Sequence, residues 1–273
     1  MDFLTLNAAD GATGKICSHG AHLCSWIPAG GQEQLFMSAR SAFQPGIPIR
    51  GGVPVVFPQF SDLGTLPKHG FARTAEWQLL EHGLDVSGAA QAVYQLRENI
   101  ARLSIWPYVF LAELAISLQA NRLQISLSIA NTGDTSFSFT NALHTYLAVD
   151  DIRRVQLHGL QHRAYRDTLQ NGAESLEIAP CLQFDGEIDR IYQQVPPVFR
   201  VQQTHQTLEI RQPGFADAVV WNPGATGAVK LADLEAGGEQ KMLCVEAANI
   251  LQPVRLAPGE SWSGSQILSV ISA

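Results

Sequence analysis

Residues 109–131 read VFLAELAISLQANRLQISLSIAN. In the first half Leu114, Ile116 and Leu118 fall on one face, with polar or small residues between them. In the second half Leu123, Ile125, Leu127 and Ile129 do the same. A period of two is the pattern of a strand buried on one side. Asn121 and Arg122 stand between the runs, so the pair reads as a β-hairpin. Working outward, the same reading gives strands at 15–19, 23–27, 76–81, 92–97, 137–149, 154–158, 207–211, 218–221, 242–246 and 266–271. Turn sequences such as PAGG, NTGD, QNGA, PGF and NPGATG punctuate them. Helical patterns are few: a short turn at 229–234, and another at 99–105 that Pro107 would halt. Strands do not alternate with helices, which argues against a doubly wound sheet. The expected fold is all-β: a large antiparallel β-sandwich or barrel-like sheet with very little helix. No repeat, low-complexity tract or linker divides the chain, so residues 1–273 are expected to form a single domain.

Composition narrows the function classes. The chain has 273 residues, 46% of them hydrophobic and 16% charged, which is globular rather than disordered. A net charge of −7 without a basic run argues against nucleic acid as a partner. An anionic ligand would need a few local arginines working against the overall field. Cys17, Cys24, Cys181 and Cys244 form no CxxC pair and sit among apolar residues, so free thiols are expected rather than a metal knuckle or redox motif. MDFLTLNAADG lacks the charged and apolar regions of a signal peptide, and no run is long enough to span a bilayer. A cytoplasmic location with no membrane partner is the resulting expectation. Dinucleotide-type GxGxxG, P-loop, HExxH and GxSxG motifs are all missing, so no cofactor and no metal is expected.

What remains are polar residues in unusual settings. His144 lies in the apolar stretch NALHTYLAV, where it could be a satisfied core histidine or a site residue. Glu246 lies in KMLCVEAANI, and a carboxylate in so apolar a run needs a partner or a raised pKa. Asp189 and Arg190 occur in EIDRIY, which alone is a weak signal. Residues 50–73, RGGVPVVFPQFSDLGTLPKHGFAR, hold two knots rich in glycine and proline that carry Arg50, Lys68, His69 and Arg73. Gly70 marks a backbone shape that a Cβ would obstruct. Arginine's planar fork suits a phosphate or carboxylate.

In order, IRGGVPVVFPQF, LPKHGFAR, NALHTYLAV, DRIY, VVWNP and CVEAAN resemble the glucose-6-phosphate 1-epimerases of the aldose 1-epimerase superfamily. That resemblance covers about residues 49–249 and implies a β-sandwich of the galactose-mutarotase type, with a cleft on one sheet face. It implies His144 as catalytic acid and Glu246 as catalytic base. Arg50, Lys68, Arg73 and Asp189 fall at substrate-binding positions, and His69 is a second site histidine. The implied partner is a small-molecule sugar phosphate, bound by a monomer or weak homo-oligomer. Two positions depart from the family pattern: Lys68 replaces a common glutamine, and Gly224 stands where a tryptophan is usual. Two other readings compete: an aldose 1-epimerase for unphosphorylated sugars, and a sugar-binding β-sandwich without catalysis.

Overall fold

The computed structural model describes residues 1–272. Alternating strands build two large antiparallel sheets and one small one. The nine-stranded sheet runs, neighbour to neighbour, Cys181–Leu182, Gln156–His158, Phe199–Gln202, Gln206–Arg211, Ser261–Ser272, Arg122–Asn131, Phe110–Gln119, Ala90–Arg97 and Gln78–Leu84. The opening hairpin sits inside it, Phe110–Gln119 against Arg122–Asn131, with Leu118 opposite Leu123. Its turn is Ala120–Asn121, one residue earlier than expected, with Ala120 at φ 51° and Arg122 already in the strand.

The eight-stranded sheet runs Ala173–Leu176, Ala164–Asp167, Ile188–Tyr192, Asp217–Asn222, Met242–Leu256, Phe137–Leu143 and Val55–Val56, with Tyr146–Ala148 also paired to Met242–Leu256. Phe3–Asn7, Thr13–Cys17 and His22–Ile27 form the small sheet. Between the large sheets lies the main core, to which Leu143, Val220, Val245 and Ala247 contribute from one side and Leu114, Ile125, Leu127, Ile210 and Leu268 from the other. This is a β-sandwich, as the alternation predicts.

The central strands of the eight-stranded sheet are buried on both faces, Asp217–Asn222 and the first part of Met242–Leu256 above all. Val245 and Ala247 point into the sandwich core, whereas Met242, Cys244 and Ala248 join smaller apolar clusters on the far face. Glu246 shares the parity of that far face. Double-sided burial explains why KMLCVEAANI reads as a continuous apolar run rather than an alternating one. The expected strand 137–149 is interrupted at His144–Thr145, although side chains keep alternating across the break. Thr145 is turned inward, and its hydroxyl donates to Gln266 on the opposite sheet. Gln266 in turn donates to the Val245 carbonyl at 2.9 Å. A fully buried amide thus pins the strand break to the strand that carries Glu246.

Two helical expectations meet different outcomes. Ile100–Leu103 is a helical turn capped by the Asn99 side chain, which accepts from the Arg102 amide at 2.8 Å. Residues 229–234 are not helical; the helix lies earlier, at Gly224–Ala228, and a turn follows. Gly224 sits at φ +56°, and a Cβ there would come 2.6 Å from the Glu187 amide nitrogen. The turn therefore excludes a tryptophan, or any other bulky side chain, at position 224 on steric grounds.

The two knots of residues 50–73 are fastened to the core by aromatics. Phe57 packs with Trp106, Phe110 and Phe139 at 5.3–5.4 Å between ring centroids, and Phe71 lies 6.0 Å from Phe57. The Phe57 carbonyl accepts from the amides of both Phe71 and Ala72. Gly70, at φ +69°, makes that approach possible: a Cβ there would lie 2.2 Å from the same carbonyl. Gly70→Ala is therefore expected to cost roughly 2–4 kcal/mol and lower the melting temperature by several degrees. Thermal and denaturant unfolding check this, and an unchanged transition would refute the close packing of the two knots.

Candidate active site

The far face of the eight-stranded sheet gathers the residues singled out above. His144 sits at the strand break beside the strand that carries Glu246, with His144 Nε2 3.3 Å from Glu246 Oε1. Glu246 is only 1% exposed and His144 8%. Glu246 Oε2 and His144 Nδ1 have no hydrogen-bond partner within the described residues. Burial, reinforced by the negative charge of Asp189, pushes the Glu246 carboxyl well above the usual carboxylate range. Burial also pushes His144 well below the ordinary histidine value, and His69, Arg73 and Arg50 add to that. Both shifts favour the uncharged partners, a carboxylic acid beside an imidazole, over two separate buried charges. Carboxylic acid beside imidazole and carboxylate beside imidazolium are two forms of the same protonation state.

Aromatic rings wall the pair. Tyr146 lies face to face with His144 at 4.8 Å and an 8° interplanar angle. Trp221 meets both rings edge-on at 6.0 Å. His69 contacts His144 at 5.6 Å between centroids. Its Nδ1 accepts from the Ser61 amide at 3.2 Å, which leaves the proton on Nε2. His69 takes a left-handed backbone, φ 66°, a conformation that costs about 1–3 kcal/mol outside glycine. Burial, followed by the charges of Arg73, Lys68 and Arg50, lowers its pKa to about 3, so it is a neutral donor. Asp189 comes from the next strand but one, in register with Trp221, and burial raises its pKa.

Arg50 is held at every level. Its amide donates to Ser41 Oγ at 2.9 Å, and its carbonyl accepts from the Ser38 amide and the Ser41 hydroxyl. His22 Nε2, 2.8 Å from the Gly51 carbonyl, and His19 Nε2, 3.0 Å from the Ile47 carbonyl, fix the flanking backbone. The Arg50 guanidinium donates to the Tyr146 hydroxyl at 2.8 Å and pairs with Asp233 at 3.1 Å. These outweigh the cost of burying its charge and hold its pKa up. Arg73 donates to the Lys68 carbonyl at 2.9 Å. The Nε atoms of Arg50 and Arg73 are buried without a hydrogen-bond partner among the described residues. Lys68 lies at the rim, 60% exposed, with Asp62 3.9 Å away.

The structure thus groups Arg50, His69, Arg73, His144, Asp189 and Glu246 close together on the far face of the eight-stranded sheet, with Lys68 exposed nearby. Arg190, next to Asp189, points away and pairs with Glu177 at 3.1 Å. Sequence reasoning gave no role to Tyr146, Trp221 or Asp233. The first two lay inside quoted motifs as apolar fillers; Asp233 carried no signal. Among the described residues, no group of three or more His, Cys, Asp or Glu side chains is placed to hold a metal ion. No helix among them is long and apolar enough to cross a membrane.

With this geometry in hand, the kinship of the chain is clear. Residues 2–269 match the aldose 1-epimerase family model, and the chain belongs to that family. It is therefore an isomerase of the 1-epimerase type, built on the mutarotase sandwich. It is 34% identical over 280 residues to a "Putative glucose-6-phosphate 1-epimerase" of Cenchrus ciliaris, covering 99% of this chain and 85% of that one. A protein of the same description from Escherichia coli (strain K12) is 33% identical over 234 residues, covering 84% and 77%. The crystal structure of a "putative mutarotase" from Salmonella typhimurium superposes with a TM-score of 0.92 at 26% identity, covering 100% of this chain and 91% of that one.

A pH test follows from the buried pair. The raised Glu246 pKa means the folded protein binds a proton that the unfolded chain has released, so stability falls as pH rises through the folded value. Glu246→Gln removes that penalty, and its gain in melting temperature should be larger at about pH 8 than at about pH 5. Melting curves at both pH values check this. An equal shift at both would mean that Glu246 is not buried as an acid.

Proposed function

We propose that this protein interconverts the α and β anomers of glucose 6-phosphate by opening and reclosing the sugar ring, with Glu246 and His144 as base and acid. The observation that carries this reading is one buried carboxyl and one buried imidazole, 3.3 Å apart, with Arg73 and Arg50 close enough to act on the pair electrostatically. Ring opening moves one proton from the C1 hydroxyl and delivers another to the ring oxygen. In the ion-pair form Glu246 accepts the first while His144 supplies the second. The C1–O5 bond breaks, C1=O1 forms, and the pair still holds one proton. After half a turn about C1–C2 the aldehyde presents its other face, and the reverse transfers close the other anomer. Because forward and reverse steps use the same two groups, each acts as acid in one direction and as base in the other. His69, a neutral Nε2–H donor, and Asp189, an acceptor, suit the sugar hydroxyls.

Arg50 and Arg73, with Lys68 at the rim, suit the 6-phosphate. A dianion beside them would satisfy guanidinium donors and offset the cost of burying those cations. Anchoring the sugar at C6 also fixes where C1 and O5 fall, so binding contributes orientation to the chemical step. The relatives named for glucose-6-phosphate 1-epimerase support the same substrate. We also read the chain as a single domain working in the cytoplasm.

Kinetics with two sugars test the phosphate assignment. The wild-type protein should show a higher kcat/KM for glucose 6-phosphate than for glucose. Arg73→Ala should raise KM for the phosphorylated sugar by about tenfold or more while affecting glucose far less. Equal losses on both sugars would argue for an epimerase of unphosphorylated aldoses. Saturable binding without faster anomer exchange would point to a binding module.

A further inference from the structure

We infer that Tyr146 is a positioning residue that spaces the catalytic imidazole from the phosphate-binding cation, and so sets selectivity for 6-phosphorylated sugars. The inference rests on the reading of Arg50 as a phosphate ligand. Tyr146 touches both halves of the site with different ends. Its ring lies flat on His144, 4.8 Å away and nearly parallel. Its hydroxyl accepts from Arg50 Nη1 at 2.8 Å. The phenol between them is rigid, 2% exposed and braced edge-on by Trp221. Its backbone is tied to the loop that carries Arg50: the Tyr146 amide donates to the Gly52 carbonyl at 2.9 Å, and its own carbonyl accepts from Phe36.

Burial raises the phenol pKa, so the hydroxyl stays neutral and acts on Arg50 as a dipole rather than a counter-charge. That distinction matters, because a phenolate there would compete with the phosphate. Asp233 supplies the balancing charge instead, at Nη2 rather than Nη1, with its side chain 37% exposed. Asp233 is anchored through its carbonyl, 2.6 Å from the Ser38 hydroxyl. The guanidinium is thus oriented by two partners, and its Nε is buried without a hydrogen-bond partner among the described residues. In a hexose 6-phosphate the ring oxygen and the phosphate ester oxygen are separated by two carbons. A spacer of fixed length on the protein matches that fixed span on the ligand, which a pair of independently mobile side chains would not.

The two ends of Tyr146 can be tested separately. Tyr146→Phe keeps the stack and removes the contact to Arg50. It should raise KM for glucose 6-phosphate about tenfold, change KM for glucose by less than about twofold, and lower kcat less than it raises KM. Tyr146→Leu removes the stack as well and admits water beside the pair. It should lower kcat on both sugars and move the acid limb of the pH profile of kcat/KM for glucose upward, because His144 regains solvation. A purely structural Tyr146 would lower the melting temperature without changing the ratio of the two KM values. Arg50→Ala serves as the control. If it raises KM for glucose 6-phosphate selectively and Tyr146→Phe does not, the spacer role is wrong while the phosphate reading stands. If Arg50→Ala shows no selectivity, the phosphate reading fails and the spacer role with it.

Discussion

Burying Glu246 beside His144, with no lysine or arginine among the described residues in direct contact with the carboxyl group, sets the terms for the rest of the molecule. Neither group is comfortable there as a charged species, yet their shared proton gives the pair two interchangeable forms. The central strands of the eight-stranded sheet make this possible because apolar side chains cover both of their faces. The far face is dry enough to perturb both groups, while the sandwich core behind it keeps the strands from moving apart. Gln266 and Thr145 extend that control to the strand break at His144, tying the pair to the opposite sheet through buried hydrogen bonds.

The same burial works against stability. Glu246 penalises the folded state as pH rises, His144 penalises it as pH falls below the usual histidine range, and His69 adds a strained backbone. The compensation comes from the aromatic cluster around Phe57, the close approach at Gly70 and the hydrogen bonds that fasten Arg50. Both knots are thus anchored in the core by one face and present cations with the other. A fold that holds strained, unpaired groups in its site must be overdetermined elsewhere.

Much of this was legible in the sequence. The hairpin at residues 109–131 is decided by alternation, because its sheet has one core face and one face open to solvent. Strand 242–256 was recognised only over its first five residues; beyond Glu246 double-sided burial and a register shift blur the period. The helix expected at 229–234 failed because its apolar residues Leu231 and Leu234 pack as turn anchors against Tyr146 and Met242 rather than along a helix face. His144 and Glu246 stood out as polar residues in apolar runs. Tyr146 and Trp221 did not, since an aromatic in a buried strand looks like core. Asp233 could not be found from spacing, because its partner lies nearly two hundred residues away and the contact exists only in three dimensions.

The central claim is that one buried acid–base pair turns over a phosphorylated hexose. Two-dimensional NMR exchange between the anomers of glucose 6-phosphate measures it directly. The exchange rate should rise in proportion to added wild-type protein and fall by about two to four orders of magnitude per molecule with His144→Asn or Glu246→Gln. Exchange that is no faster than in buffer with the wild-type protein, or that either variant sustains at the wild-type rate, would contradict the account.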